Sequence, residues 1–269
     1  MSLAQEKLRA REQWSQDPCG AEYDREHELG TREFFERVER HRYSEYAPWM
    51  PRLMEFEKFR DARLLEIGCG MGTDLLQFSR NGARCIGIDL TPRSIEITQH
   101  RFKLYGADGA FMISDGENLP FRSESFDVVY SNGVLHHTPD TEGAIREVHR
   151  VLKPGGVAKV MLYHRNSLNY WIEIVLRRGV LGGQFLRGRS AEEIMSHVIE
   201  FSDHGATPLV KVYNRKEARA LFSLFKNVVV DVEQLTRAEL RFLSPLVSES
   251  MLDKLRKRIG WNVIITAIK

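Results

Sequence analysis

Five short β-rich runs alternate with helical patterns and turn signals across residues 63–163, and few folds accommodate that order. The runs are RLLEI (63–67), RCIGID (84–89), AFMIS (110–114), FDVVYS (126–131) and VAKVMLY (157–163). Most are short and almost continuously apolar, as strands covered on both faces are. Between them, DLLQFSRNG (74–82) reads as a helix stopped by glycine. Thr91-Pro92 offers an N-cap and a first-turn proline for a second helix. EGAIREVHRVL forms a third, halted at Lys153-Pro154-Gly155-Gly156. Parallel strands need such crossovers, so the pattern predicts a doubly wound α/β sheet. Right-handed crossovers then gather the ligand-facing loops at the carboxyl ends of the strands.

The flanks read differently. Residues 1–60 show no strand signal and predict a helical cap, leaving residues 61–269 as the sheet domain. The alternation pauses over 164–213, a stretch of aromatics, glycines and arginines with an HGATP turn at 204–208. It resumes with a helix in NRKEARALFSLF and a strand in NVVVDVE. Thr236-x-x-Glu239 then has capping-box spacing and predicts an amphipathic helix ended by Pro245. WNVIITAI (261–268) predicts a final strand.

The first strand runs into LLEIGCGMGTD (64–74), where Gly68, Gly70 and Gly72 alternate with Cys69 and Met71. Glycines here let the backbone turn and a ligand approach it closely, and the helix start offers free N–H groups. The spacing G-x-G-x-G departs from the dinucleotide fingerprint G-x-G-x-x-G. Asp89 ends the second strand about twenty residues on, the place of a ribose-binding carboxylate. Asp115 ends the third strand, where a carboxylate can receive an adenine amino group. Glu66 precedes the first glycine and suits an ammonium. Together these groups describe a site for an adenosine that carries a cation and a carboxylate and lacks a pyrophosphate.

LLEIGCGMGTD, GIDLTPRSI, ISDGENLPF, FDVVYSNGVLHHTPD and RVLKPGG resemble, in order and register, the motifs of class I S-adenosylmethionine-dependent methyltransferases of the ubiquinone/menaquinone-biosynthesis type. The resemblance implies a Rossmann-like seven-stranded sheet, mostly parallel with its last strand antiparallel, with insertions after strands five and six. It implies S-adenosylmethionine as cofactor and S-adenosylhomocysteine as product. Glu66 and the loop from Gly68 through Cys69, Gly70 and Gly72 to Asp74 would hold the methionine part. Asp89 would bind ribose and Leu90 flank adenine. Asp115, with the Gly116 and Glu117 backbone, would take the adenine edge. Asn132 would turn its carbonyl toward the ammonium, with His136 nearby.

Candidate catalytic groups follow from position. His136 and His137 lie after strand four, and Tyr163 and His164 at the end of strand five; any of them could serve as general base. His204 in the insertion, and Tyr43 and Tyr46 in the cap, are further candidates to line or cover the site. The insertion is apolar and aromatic, with Trp171, Ile172, Ile174 and Phe185, and suggests a small, partly apolar acceptor such as a quinone, phenol or lipid-like metabolite.

Composition narrows the alternatives. With 39 basic and 37 acidic residues the formal charge is +2, so a broad nucleic-acid surface is not expected. No cysteine follows Cys85 to act as a base-methylating nucleophile, and Ser131-Asn132-Gly133-Val134 replaces the Asn-Pro-Pro-Tyr element of adenine-N6 enzymes. Three scattered cysteines suit a reducing cytoplasm rather than a disulfide scaffold, and no metal-ligand spacing occurs. The N-terminus lacks an apolar signal core, and no apolar stretch is long enough to span a bilayer. RNA modification, non-catalytic cofactor binding and, last, an NAD-type oxidoreductase stand as alternatives.

Overall fold

A computed structural model describes residues 3–198 and 208–269. Its centre is a seven-stranded sheet made of β1 (Arg63–Ile67), β2 (Arg84–Asp89), β3 (Ala110–Ile113), β4 (Phe126–Asn132), β5 (Leu152–Tyr163), β6 (Lys226–Glu233) and β7 (Asn262–Ile268). The strand order is β3-β2-β1-β4-β5-β7-β6. Strands β1 to β5 pair in parallel, and β7 runs antiparallel to both β5 and β6. The order reverses between β1 and β4, which is where such sheets open a ligand crevice.

The described helices are α1 (Leu3–Gln16), α2 (Arg32–Arg40), α3 (Met50–Met54), α4 (Thr73–Arg80), α5 (Pro92–Tyr105), α6 (Thr141–Val151), α7 (Ala191–Val198), α8 (Arg215–Leu221), α9 (Arg237–Leu240) and α10 (Glu249–Ile259). Strand residues alternate between two cores, as the period-2 pleat requires. Leu65, Val129, Val160 and Ile265 face α6 and α8. Leu64, Tyr130, Met161 and Ile264 face α4, α5 and the N-terminal segment. That segment contributes Trp49, Met50, Met54 and Phe56 to the second core. Before it, α2 is capped by Thr31, whose hydroxyl accepts from the Phe34 amide at 3.3 Å, and it buries Phe34, Phe35 and Val38. Burying aromatic side chains of this size stabilises by roughly 2–3 kcal/mol each.

Two local expectations change, and one stretch gains definition. Strand β5 begins at Leu152, not 157, because the Pro-Gly-Gly stretch pairs instead of looping: Gly155 donates to the Lys269 carbonyl at 3.1 Å and Lys269 donates to Gly156 at 3.0 Å. Glu239 makes its half of the Thr236 capping box, accepting from the Thr236 amide and hydroxyl. The α-helix it opens lasts only four residues before tightening into a 3₁₀ segment (Arg241–Leu246) that contains Pro245. The stretch after β5, where the alternation pauses, is helical: Tyr170–Leu181 winds as a π-type helix, followed by a 3₁₀ turn (Phe185–Arg187) and α7. His204 and most of its HGATP turn lie outside the described residues.

Candidate functional site

The glycine loop is shaped by its neighbours. Gly68 has φ 74°, and a Cβ there would stand 2.3 Å from Val134, so no other residue fits without displacing the chain after β4. Gly70 has φ 52°, and a Cβ there would meet nothing within 4 Å. Its exposed backbone leaves room for a ligand. The Gly68 and Cys69 amides both donate to the Ile88 carbonyl, at 2.8 and 3.0 Å, tying the loop to the end of β2. Thr98 donates to the Gly70 carbonyl at 2.7 Å. The Cys69 thiol is buried and pushed well above its usual pKa, so it is a packing group.

Three strand ends converge on this loop. The Asp89 carboxylate accepts from the Gly70 amide at 3.0 Å and from the Thr91 amide and hydroxyl at 2.9 and 3.0 Å. Burial nonetheless raises its pKa. Half-buried Leu90 follows it. Ser114 donates to the Asp89 carbonyl at 2.9 Å, which sets the end of β3 beside β2. Gly116 packs so closely on Ile67 that a Cβ would lie 2.9 Å from it. Asp115 then accepts from the Glu117 amide at 2.9 Å.

Glu66 is buried, and its Oε2 has no hydrogen-bond partner among the described residues. Burial raises its pKa well above the carboxylate range, and the Asp74 charge adds to the effect. Buried polar atoms are seldom left unpaired, and an acceptor oxygen at a glycine-loop crevice is suited to an incoming cation. These features fit S-adenosylmethionine on its methionine and ribose sides.

Asp74 plays a different part. Its carboxylate accepts both nitrogens of the Arg42 fork, at 2.7 and 2.6 Å, and the hydroxyls of Tyr43 and Tyr130, at 2.6 and 2.7 Å. Despite burial, Arg42 holds its pKa below the usual range. The four donors turn Asp74 toward the N-terminal segment. Tyr43, one of the expected covering residues, acts here as a clamp on the start of α4.

Helix α1 reaches the residues that follow β3. Lys7 bonds Asp115 at 2.5 Å and also pairs with Glu117. Burial opposes its charge, but the two carboxylates hold the ammonium above its ordinary pKa. Further along, Gln13 is buried with Oε1 unpartnered among the described residues, and Trp14 meets His137 edge-on at 4.9 Å.

Beyond β4 the four candidate catalytic side chains divide. His136 is fully buried, stacks on Tyr163 at 4.0 Å and touches His137 at 4.1 Å. Both of its ring nitrogens lack partners among the described residues, and burial lowers its pKa well below the usual value. His137 bonds the Leu209 carbonyl through Nδ1 at 2.7 Å. The pleat sends His164 away from Tyr163, and its Nδ1 donates to the Gly260 carbonyl at 2.9 Å. His136 and Tyr163 are therefore brought together, while His164 closes a strand junction. Asn132, at the end of β4, has its own unpartnered Oδ1 among the described residues.

Asn262, Lys7, Gln13 and Arg42 were not anticipated as site residues. Asn262 is directly opposite Tyr163 on β7, is 1% exposed, and has an unpartnered Oδ1 among the described residues. Its only sequence signal was a polar residue opening an apolar strand. No metal-ligating cluster occurs among the described residues.

Residues 65–160 match the family model of a methyltransferase domain. The chain is 38% identical over 153 residues to phthiotriol/phenolphthiotriol dimycocerosates methyltransferase 1 of Mycobacterium ulcerans, covering 55% of this chain and 54% of that protein. It is 32% identical over 117 residues to the ubiquinone biosynthesis O-methyltransferase of Cereibacter sphaeroides, covering 44% and 47%. The chain thus spans about half the length of these curated relatives. Among solved structures, the [4+2]-cyclase SpnF superposes with a TM-score of 0.54 at 18% identity, covering 99% of this chain and 92% of that one. That likeness is one of fold. Motif order, sheet topology and the domain match together make residues 65–160 similar to the class I S-adenosylmethionine-dependent methyltransferases.

Proposed function

We propose that the protein transfers a methyl group from S-adenosylmethionine to a small, partly apolar acceptor bound beside His136 and Tyr163. The observation that carries the reading is the alignment of polar groups along one sheet edge. Glu66, the open Gly70 backbone and Asp89 lie at one end, and His136, Tyr163 and Asn262 lie at the other. When bound, S-adenosylmethionine supplies an electrophilic methyl on a sulfonium. Glu66 and the Asn132 carbonyl would hold its ammonium, Asp89 the ribose hydroxyls, and Asp115 with the Gly116 and Glu117 backbone the adenine edge. Asp115 would exchange or share its contact with Lys7.

On the acceptor side, neutral His136 would accept a proton from a hydroxyl, as a buried imidazole of lowered pKa can. Asn262 would orient that hydroxyl. Tyr163 and Trp261, 4.6 Å apart, provide an aromatic wall. Helix α1 and the N-terminal segment would exclude water and fix the line of attack. In this reading residues 1–60 would cap the residue 61–269 domain, and the described part of the 164–213 insertion would form part of the acceptor wall. Two relatives are named for phthiotriol/phenolphthiotriol dimycocerosates and for ubiquinone biosynthesis, which supports an apolar acceptor.

Calorimetric titration with S-adenosylhomocysteine and with NADH tests the cofactor. Binding of the first alone is expected, and binding of NADH alone would overturn the reading. Methyl-labelled S-adenosylmethionine incubated with cell extract tests the reaction, with label expected in the organic phase. Cofactor binding without label transfer would favour a second reading, a cofactor-bound protein without methyl transfer. The full-length likeness to a cyclase is the observation behind that alternative.

A further inference from the structure

We infer that the exposed face of the π-type helix, with the turn that follows it, docks the protein on an anionic lipid surface. Seven of the fourteen exposed large hydrophobic side chains among the described residues fall within residues 171–186. Scattered exposed apolar residues are ordinary, but a contiguous patch marks an interaction surface.

The winding of the helix gathers them. It closes i to i+5 bonds, as between the Gly182 amide and the Arg177 carbonyl at 2.9 Å, so residues four and five apart share a face. Trp171, Leu176 and Leu181 are five apart, and Ile172, Leu176 and Val180 are four apart. At an α-helical period these side chains would spread around the axis. Phe185 folds back over Gly179, where a Cβ would lie 2.3 Å from its ring, and Leu186 projects beside it, 92% exposed. The opposite face is fixed in place: Tyr170 and Ile174 are buried with Met195, Val212 and Trp261. The patch is thus held on a rigid support.

Charge selects the partner. Residues 170–190 contain four arginines and one glutamate, in a chain whose overall charge is only +2, before exposed Glu192 and Glu193 open α7. Glu173 pairs with Arg177 and Arg178 beside the apolar face, and Arg187 and Arg189 stand exposed at its end. Trp, Phe and Leu edged by arginine is the composition of helices that lie in the headgroup region of a membrane. A second copy on a twofold axis would bring the same arginines together, so self-association is the weaker match. No described helix is long and apolar enough to cross a bilayer, so the mode is surface binding. Because the buried side of this helix packs against Trp261 and partly buried Tyr163, docking would set the lipid surface over the acceptor end of the crevice. That last consequence rests on the proposed function, whereas the docking itself does not.

Co-sedimentation of the full chain with vesicles tests the inference. Vesicles containing phosphatidylglycerol should capture the protein at low salt, and pure phosphatidylcholine should capture it more weakly. Leu181→Asp with Leu186→Asp should lower binding about tenfold or more. Arg187→Ala and Arg189→Ala should each cost about fivefold on the anionic vesicles alone. These side chains are exposed, so circular dichroism and the thermal midpoint should stay unchanged. Absence of vesicle binding, or variants that bind as the parent does, would overturn the inference. So would a dimer in sedimentation equilibrium that Leu181→Asp disperses while no vesicles bind. S-adenosylhomocysteine titration of the same samples separates either outcome from failure of the methyltransferase reading.

Discussion

Glu66 is the residue whose environment says most about ligand binding. Its folded pKa is raised, first by burial and then by Asp74, whereas an unfolded glutamate titrates near 4.3. Between those two values the unfolded chain is ionised and the folded chain is protonated, so stability falls as pH rises through that window. Glu66→Gln removes this penalty. The variant should melt higher than the parent at pH 7, with the difference shrinking toward pH 4, by scanning calorimetry. A ligand ammonium would require the carboxylate, so S-adenosylhomocysteine binding should release a proton from the parent wherever the free folded carboxyl is still protonated. Titration in buffers of different ionisation enthalpy measures that release. Glu66→Gln should abolish it and weaken binding by roughly 10- to 100-fold, the value of a charge-assisted hydrogen bond. His136 carries the opposite sign. Its pKa is lowered by burial, so the stability it contributes is present above the unfolded value near 6.5 and is lost as pH falls below it. His136→Phe should flatten the acid side of the melting profile. If the imidazole takes the acceptor proton, turnover should fall about 100-fold or more while S-adenosylhomocysteine affinity stays nearly constant.

At the scale of elements, the N-terminal segment is joined to the glycine loop by one buried ion pair. Arg42 belongs to the π-type turn His41–Tyr46 that follows α2, and Asp74 to the first turn of α4. Removing one partner strands the other charge, so Arg42→Ala should cost about 3–5 kcal/mol in denaturant unfolding. The pair Arg42→Met with Asp74→Asn should recover much of that loss, since apolar or neutral replacement of both partners avoids the buried charge. A double variant no more stable than Arg42→Ala would show that the Tyr43 and Tyr130 hydroxyls, not the ion pair, dominate the junction. Helix α1 is held more lightly. The Lys7 contacts with Asp115 and Glu117 are partly exposed, and pairs of that kind contribute about 1 kcal/mol or less. Lys7→Ala should leave the global midpoint almost unchanged but speed amide exchange within α1, as hydrogen exchange by mass spectrometry would detect.

Across the whole molecule, the N-terminal segment and the sheet share a core. Trp49, Met50, Met54, Phe56 and Phe59 pack with Leu64, Leu75, Phe78, Tyr130 and Ile264. The Trp49 indole donates to Gln234 at 2.8 Å, and Arg52 pairs with Glu233 at 2.7 Å, so the segment also reaches the far side of the sheet. Calorimetry should therefore show one unfolding transition. Two separated transitions would mean that the segment folds as a unit apart from the sheet.

The local sequence determined the order of strands, the glycine turn and the carboxylates at successive strand ends, because period-2 apolar runs, φ-positive glycines and helix caps act through near neighbours. The positions of Asp89 and Glu66 were legible for that reason: Asp89 closes β2 and Glu66 stands one residue before the end of β1. Other features depended on which distant surfaces meet. Asp74 looked like a ligand-loop residue, and only the approach of Arg42, Tyr43 and Tyr130 made it a clamp. Tyr163 and His164 were equivalent in sequence until the pleat sent one to His136 and the other to the Gly260 carbonyl. Asn262 meets Tyr163 because β7 lies antiparallel beside β5, and Lys7 meets Asp115 because α1 reaches the residues after β3. Apolar patterning states which side chains must be buried, but the partner of a buried polar group is chosen by tertiary packing. Charge and hydrogen-bond complementarity over large sequence separations leave no periodic trace in the chain.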